Sequence, residues 1–265
     1  MQQLPKAIFC DIDWTIFDHS SNNHVLDMES IETLNKMHDL GVKVFLCTAR
    51  AYPSTKQIGI LDALRYDGLI FCSGGLVIID DKIIYRNEIT REKYLKIVDL
   101  CLKNDVNLEV VEPYRCTLIK PIDQKVKDYY AIYVEPIPEY DDYISKHPVA
   151  LLMFASLEDD EKIIPNLPEG IMYYRFFPTG VDIMEKQNSK GEAVDIILDY
   201  LKIDKKDAIA FGDDDQDIEM FKSCGVSFAM GNAKEAVKAN ATYIIPEVYN
   251  HGVKVALEEH YLNKK

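Results

Sequence analysis

Two aspartates close the first apolar run of this chain: in KAIFCDIDWTIFDHS, residues 6 to 20, Asp11 and Asp13 stand where the hydrophobic stretch ends. Residues i and i+2 of an extended strand point the same way, so both carboxylates can face one small volume. Crowded anions repel unless something neutralises them, and a hard divalent cation suits carboxylate and carbonyl oxygens. A D-x-D pair alone reads as readily as a cap or a turn. A second acidic cluster, GDDDQD at 212 to 217, follows the apolar AIAF and brings Asp213 toward the same edge. If a helix begins near Asp217, Asp213 can bind metal directly while Asp217 binds or orients a ligand from behind. Metal binding and helix capping both remain open for this cluster, and Asp214 and Asp215 read as solvated loop residues. Thr48 ends the apolar VKVFLCTAR, and Lys190 starts a helix in SKGEAVDIILDYLKI. A hydroxyl with backbone amides can hold phosphoryl oxygens, and a lysine offsets charge building in the transition state. That set favours phosphoryl transfer over a nuclease or a calcium module, although a helix cap and a solvated lysine are the plain alternatives for Thr48 and Lys190.

The surrounding pattern supplies strands to carry these groups. LPKAIFCDI, VKVFLCTAR and YDGLIFCSGG read as strands, separated by a helix over 28 to 41 (MESIETLNKMHDLG, with Ile31, Leu34, Met37 and Leu40 at helical spacing) and a second over TKQIGILDAL. The last 75 or so residues resume the rhythm, with Ala193, Ile196, Ile197 and Leu201 on one side of a helix, then the strands KKDAIAF, GVSFAM and NATYIIP, and a closing helix VKVALEEHYL. Strand and helix in alternation predict a parallel sheet covered on both faces, with ligands collected outside the carboxyl ends of the strands. Between Ile79 and Glu185 the pattern changes to strand candidates rich in β-branched and aromatic residues, VNLEVVE, RCTLIKP, PVALLMFA and MYYRFFPTGVDIME, with acidic stretches such as IPEYDDYISK between them. The expected organisation is an α/β core from residues 1–79 and 186–265, interrupted by an α+β insertion over 80–185.

Composition narrows the function class. The chain has 265 residues, 48% of them hydrophobic, and a formal charge of −14, which repels nucleic acid polymers and anionic membranes. No run of about 18 apolar residues is present to span a bilayer. The N-terminus has neither the basic start nor the cleavage site of a secretory signal, so a cytoplasmic location is expected. Six scattered cysteines form no C-x-x-C pair and no zinc-ligand spacing, and read as reduced thiols, mostly buried.

Four blocks in order, D-I-D-W-T, T-A-R, S-K-G and G-D-D-D-Q-D-I-E-M, resemble the haloacid dehalogenase (HAD) superfamily. The long insertion after the third strand, AMGNAKEAVKANATYI and the late HGV resemble its Cof-like sugar phosphatase branch with a type IIB cap. The resemblance implies a Rossmannoid parallel-sheet core, an inserted cap, and Mg²⁺-dependent hydrolysis of a phosphomonoester. It makes Asp11 the nucleophile that becomes an aspartyl phosphate and ligates the metal through its side chain. Asp13 becomes the general acid and base and ligates through its backbone carbonyl. Thr48 and the amide of Ala49 hold the phosphoryl group, Lys190 orients Asp11 and offsets charge, Asp213 completes the metal site, and Asp217 ligates or supports it. Arg50, Trp14, Arg115 and Arg175 are possible substrate contacts, as are Tyr114, Phe176 and Phe177 in the cap.

Two positions depart from that family. Trp14 stands where glycine is usual and Gln216 where asparagine is. The Trp14 amide can still donate to phosphate, while its indole must narrow the pocket, pack under the cap or obstruct the cleft; the preferred expectation turns it outward or into the cap. The expected substrate is a small phosphorylated metabolite, such as a sugar phosphate, nucleotide or cofactor phosphate. Alternatives are a phosphomutase or phosphotransferase, and a non-catalytic binding or regulatory protein with Trp14 filling the cleft.

Overall fold

Apolar runs without polar alternation become strands covered on both faces in the computed structural model of the chain, which describes residues 3–20, 24–133 and 136–263. The chain divides into two compact units. One comprises the residues up to Ala49, Gly59–Tyr85 and those from Ser189 onward; the other comprises Arg50–Ile58 and Arg86–Asn188. In chain order the strands are β1 (Ala7–Asp11), β2 (Phe17–Asp18), β3 (Val25–Leu26), β4 (Lys43–Cys47), β5 (Gly68–Phe71), β6 (Leu76–Ile79) and β7 (Lys82–Arg86). There follow β8 (Asn107–Glu112), β9 (Arg115–Leu118), β10 (Ala150–Phe154), β11 (Ile171–Phe177) and β12 (Gly180–Glu185), then β13 (Ala208–Gly212), β14 (Val226–Met230) and β15 (Tyr243–Ile245).

The main sheet has the order β15-β14-β13-β1-β4-β5-β6-β7. It is parallel from β15 through β5, and β6 turns back antiparallel to β5. The reversal follows from the turn at Cys72 to Gly75, too short for a crossover helix. From β1 the chain steps outward through β4 to β5, and after the insertion it returns to the other side of β1 and steps through β13 to β15. The order therefore reverses at β1, and the carboxyl ends of β4, β1 and β13 border the crevice that such a reversal leaves. Phe9 stacks on Phe45 at 5.0 Å between ring centroids, and Phe211 on Phe228 at 4.8 Å.

The helix Lys190–Leu201 buries Ala193, Val194, Ile197 and Leu198 in the same cluster as Phe9, Phe45 and Ala210. Its buried stripe is turned slightly from the expected one: Val194 and Leu198 enter the core, while Ile196 and Leu201 lie half-buried at its margin. The single helix expected over TKQIGILDAL is two, Tyr52–Gln57 and Ile60–Ala63, because Gly59 adopts φ +79° and breaks the turn between them. Its first half belongs to the second unit, where the Tyr52 ring meets Tyr114 edge-on at 5.2 Å.

In that second unit an antiparallel sheet has the order β11-β12-β10-β8-β9. Alternation along β10 separates two cores: Leu151 and Met153 pack with Ile97 and Val98 of the helix Arg91–Lys103, and Leu152 and Phe154 with Tyr129 and Tyr130 of the helix Gln124–Tyr133. The candidate MYYRFFPTGVDIME is a hairpin of β11 and β12 turning at Pro178 and Thr179. The stretch IPEYDDYISK carries one isolated bridge, at Tyr140, and no helix.

Gly74 and Gly41 both have positive φ, +101° and +88°, but a Cβ on Gly74 would lie 2.1 Å from the Ser189 carbonyl oxygen, whereas nothing lies within 4 Å of one on Gly41. Gly41→Ala should therefore cost about 1 kcal/mol for the left-handed backbone alone, and Gly74→Ala upwards of about 3 kcal/mol because backbone must also move. Urea unfolding of the two variants checks the difference, and equal losses would contradict the close approach.

Candidate active site

Register explains why residues far apart in sequence converge. Asp11 pairs with Cys47 on one side, so Thr48 lies one step beyond it; on the other side Cys10 pairs with Phe211, so Asp213 follows Gly212 just past the same edge. Adjacent strands lie about 4.8 Å apart, which brings these three groups to one sheet margin. Carboxylate oxygens of Asp11, Asp213 and Asp217 all lie within 4.8 Å of one another. Lys190, the first residue of its helix behind the capping Ser189, reaches between two of them: Nζ donates to Asp11 Oδ1 at 2.6 Å and to Asp217 Oδ1 at 2.7 Å. Thr15 donates its hydroxyl to Asp11 Oδ2 at 3.2 Å, a contact that sequence reading missed although Thr15 lies inside D-I-D-W-T.

Asp217 is fully buried, and its Oδ2 accepts from the amides of Asp213 (2.9 Å) and Asp214 (3.0 Å), closing the acidic turn on itself. Its carboxylate lies against Gly212, where a Cβ would come within 2.5 Å of it, so only glycine can end β13 here. Gly191 plays the matching part for the lysine, because a Cβ there would lie 2.5 Å from the Glu219 carbonyl oxygen. Asp214 and Asp215 instead pair with Lys234 at the surface.

Three carboxylates crowd together here with one ammonium that pairs with two of them, and burial sets their electrostatics. Desolvation, reinforced by the charges of Asp217 and Asp13 and opposed by Lys190, raises the Asp11 carboxyl to about 8. Desolvation followed by repulsion from Asp11 and Asp217 raises Asp213 to about 9. Burial alone would favour a neutral Lys190, but attraction to Asp11 and Asp217 outweighs it and holds the ammonium well above its usual value. An all-oxygen donor set with surplus negative charge fits a hard divalent cation.

Around this cluster, Thr48 is buried, its amide donating to Ile70 and its carbonyl accepting from Ser73, and Ala49 is exposed. Ser73 donates its hydroxyl to Gln216, which ties the loop after β5 to the acidic turn. Trp14 has φ 58°, the left-handed region that explains why glycine suits its position. Its amide donates to the Phe17 carbonyl at 2.9 Å, so the expectation that it serves a phosphate is corrected: the tight turn consumes that donor. Its carbonyl accepts from Asn232 at 3.0 Å, and its indole, 39% exposed, packs on His19 at 5.3 Å between ring centroids. Asp13 Oδ1 lies 2.7 Å from His19 Nε2.

Arg50, Arg115 and Arg175 belong to the second unit. Arg175 spans Asp160 through Nε (2.7 Å) and Nη2 (2.5 Å) and donates to Pro178 and Ala155 carbonyls, and Arg115 pairs with Asp141 at 2.8 Å. A bidentate pair with further carbonyl contacts, including Ser156, anchors the Arg175 guanidinium. Tyr114 is held by Tyr52 and Phe176 packs on Tyr129, while the Phe177 side chain lies outside the described residues. Among the described residues no helix is long and apolar enough to cross a membrane, and none of the six cysteines is in a disulfide.

The comparisons agree with this geometry. A family model described as haloacid dehalogenase-like hydrolase matches residues 8–257. The Bacillus subtilis (strain 168) protein YkrA is 28% identical over 265 residues, covering 96% of this chain and 97% of its own. A phosphoglycolate phosphatase of Methanobrevibacter smithii is 24% identical over 262 residues, covering 97% and 98%. BT1666 of Bacteroides thetaiotaomicron, studied among phosphatases of the HAD superfamily, superposes with a TM-score of 0.82 at 26% identity, covering 97% of this chain and 95% of that one.

Asp11 and Asp213 titrate higher in the folded chain than the 3.8 of an ordinary aspartate. The folded state thus binds their protons more tightly; the resulting stability is complete below about pH 4 and is lost as pH rises through about 8 and 9. Without divalent cations, the melting temperature should fall between about pH 6 and pH 9, above the range of ordinary carboxyls, and a saturating cation should flatten the fall. A metal-free melting temperature constant across that window would contradict the crowded-carboxylate account.

Proposed function

The chain belongs to the haloacid dehalogenase-like hydrolases, and from that premise we propose that it is a magnesium-dependent phosphomonoester hydrolase of the Cof-like branch with a type IIB cap. Its substrate on this reading is a small phosphorylated metabolite, and the reaction passes through an aspartyl phosphate on Asp11. The observation that carries the reading is one ammonium, that of Lys190, shared by Asp11 and Asp217 with Asp213 beside them at the carboxyl edge of the sheet.

Asp11 attacks phosphorus, its carboxylate aimed by Lys190 on Oδ1 and Thr15 on Oδ2. Lys190 also offsets charge on the phosphoryl group as the leaving oxygen departs. Thr48 and the Ala49 amide hold the phosphoryl oxygens. Asp13 gives a proton to the leaving alkoxide and then takes one from the water that releases phosphate from Asp11. Magnesium, held by Asp11, Asp213 and the Asp13 carbonyl with Asp217 ligating or supporting, would keep Asp11 ionised and draw charge from the phosphoryl oxygens. The Lys190 and backbone-amide bonds already on Asp217 support the supporting role. The match to a hydrolase family and the packing of the Trp14 indole on His19 weigh against the non-catalytic reading. A small metabolite is supported by the phosphoglycolate phosphatase among the relatives, and a cytoplasmic setting by six cysteines without a disulfide.

A phosphomonoester panel with and without Mg²⁺ tests the reading, and turnover that survives chelation would count against it. Asp11→Asn should lower turnover by about 10⁴-fold or more, since the anionic nucleophile is gone at nearly constant size. Rapid quenching with radiolabelled substrate should trap protein-bound phosphate that hydroxylamine releases in the parent but not in the variant. Phosphate appearing on an added alcohol in place of water would assign the chain to transfer.

A further inference from the structure

Asp13 is contacted by His19, itself backed by His24, and no motif marks either histidine. His19 Nε2 lies 2.7 Å from Asp13 Oδ1, and His19 Nδ1 lies 2.9 Å from His24 Nδ1. Both histidines flank the loop of the β2–β3 hairpin, in which Phe17 pairs with Leu26 and Asp18 with Val25. The His19 side chain is 11% exposed, with its ring 4.8 Å from Phe17 edge-on, 5.3 Å from Trp14 and 5.0 Å from His24. Rings on three sides fix its plane.

We propose that His19, steadied by His24, is a positioning residue that holds Asp13 in the geometry for proton transfer to the leaving group. This rests on the role given to Asp13 under the proposed function. In the tautomer this role requires, His24 Nδ1–H donates to His19 Nδ1, and His19 Nε2–H donates to Asp13 Oδ1. The transferable proton then sits on Asp13 Oδ2 and passes to the leaving alkoxide as the P–O bond breaks. Trp14 acquires a part here as well, because its indole forms one wall of the His19 site.

A histidine pair that only staples the hairpin would make the same contacts, so the test reads leaving-group dependence. Values of kcat/KM, which report steps through P–O cleavage, are compared for 4-nitrophenyl phosphate, whose leaving group needs little protonation, and 2-phenylethyl phosphate, whose leaving group needs much. His19→Phe keeps a ring but loses the donor; it should lower kcat/KM about 10- to 100-fold on the alkyl ester and less than about 3-fold on the aryl ester. His19→Gln, which restores an N–H, should recover most of the alkyl activity. Equal losses on both esters, or no loss on the alkyl ester, would overturn the proposal. Asp13→Asn separates the premise from the inference. If it spares the alkyl ester, the Asp13 role fails and the inference with it; if it hits the alkyl ester selectively while His19→Phe does not, only the inference fails. Urea unfolding checks each variant, and if His19→Phe does not fold, His24→Phe should show the same selective pattern at about 3- to 10-fold, with equal losses on the two esters again overturning it.

Discussion

Crowding three carboxylates, two of them buried, beside one ammonium is the constraint around which this protein is arranged. Removing a charge from water costs several kcal/mol even after relaxation, and a like charge a few ångströms away adds to that cost. Lys190 relieves two of the anions directly, and two backbone amides relieve the fully buried Asp217 further. What remains uncompensated falls on Asp11 and Asp213, whose carboxyls rise to about 8 and about 9. The same imbalance that weakens the metal-free fold makes the cluster compatible with a divalent cation.

The fold meets this constraint by close backbone approach. Gly212 lets Asp217 lie against the end of β13, Gly191 lets the lysine-bearing helix approach the helix that starts at Asp217, and Gly74 lets the turn after β5 touch Ser189. Each admits an element that a methyl group would hold off by a few tenths of an ångström or more. The Ser73 to Gln216 hydrogen bond then joins two of these loops across 143 residues. The longer side chain of Gln216, compared with asparagine, spans that gap.

Much of this was legible in the sequence because polar groups interrupt apolar runs so abruptly at Asp11, Thr48 and Asp213. A strand that ends in a carboxylate announces both its direction and its chemistry, and a parallel sheet then gathers such ends on one margin. The antiparallel return at β6 was less visible, since a short turn and a crossover begin with similar residues. Helix Tyr52–Gln57 sided with the second unit through the Tyr52 to Tyr114 ring contact, which no local pattern encodes. The pairing of Arg175 with Asp160, 15 residues away in sequence, was equally hidden. His19 and His24 escaped notice for a related reason: they sit in a polar stretch without periodicity, and their meaning depends on a hairpin bringing them back to Asp13.

The order of these pieces along the chain also shapes how the molecule is made. Lys190 answers Asp11 from 179 residues downstream. During synthesis, β1, β4 and β5 emerge from the ribosome long before their counter-ion exists, and β13, the other neighbour of β1, emerges later still. Asp11 must stay hydrated through that interval, which leaves the half-made sheet open along β1 while the second unit, nearly continuous in sequence, can fold. Truncation anywhere before the last quarter of the chain would thus release an unfinished sheet with its acidic edge exposed, a product suited to degradation rather than to partial activity.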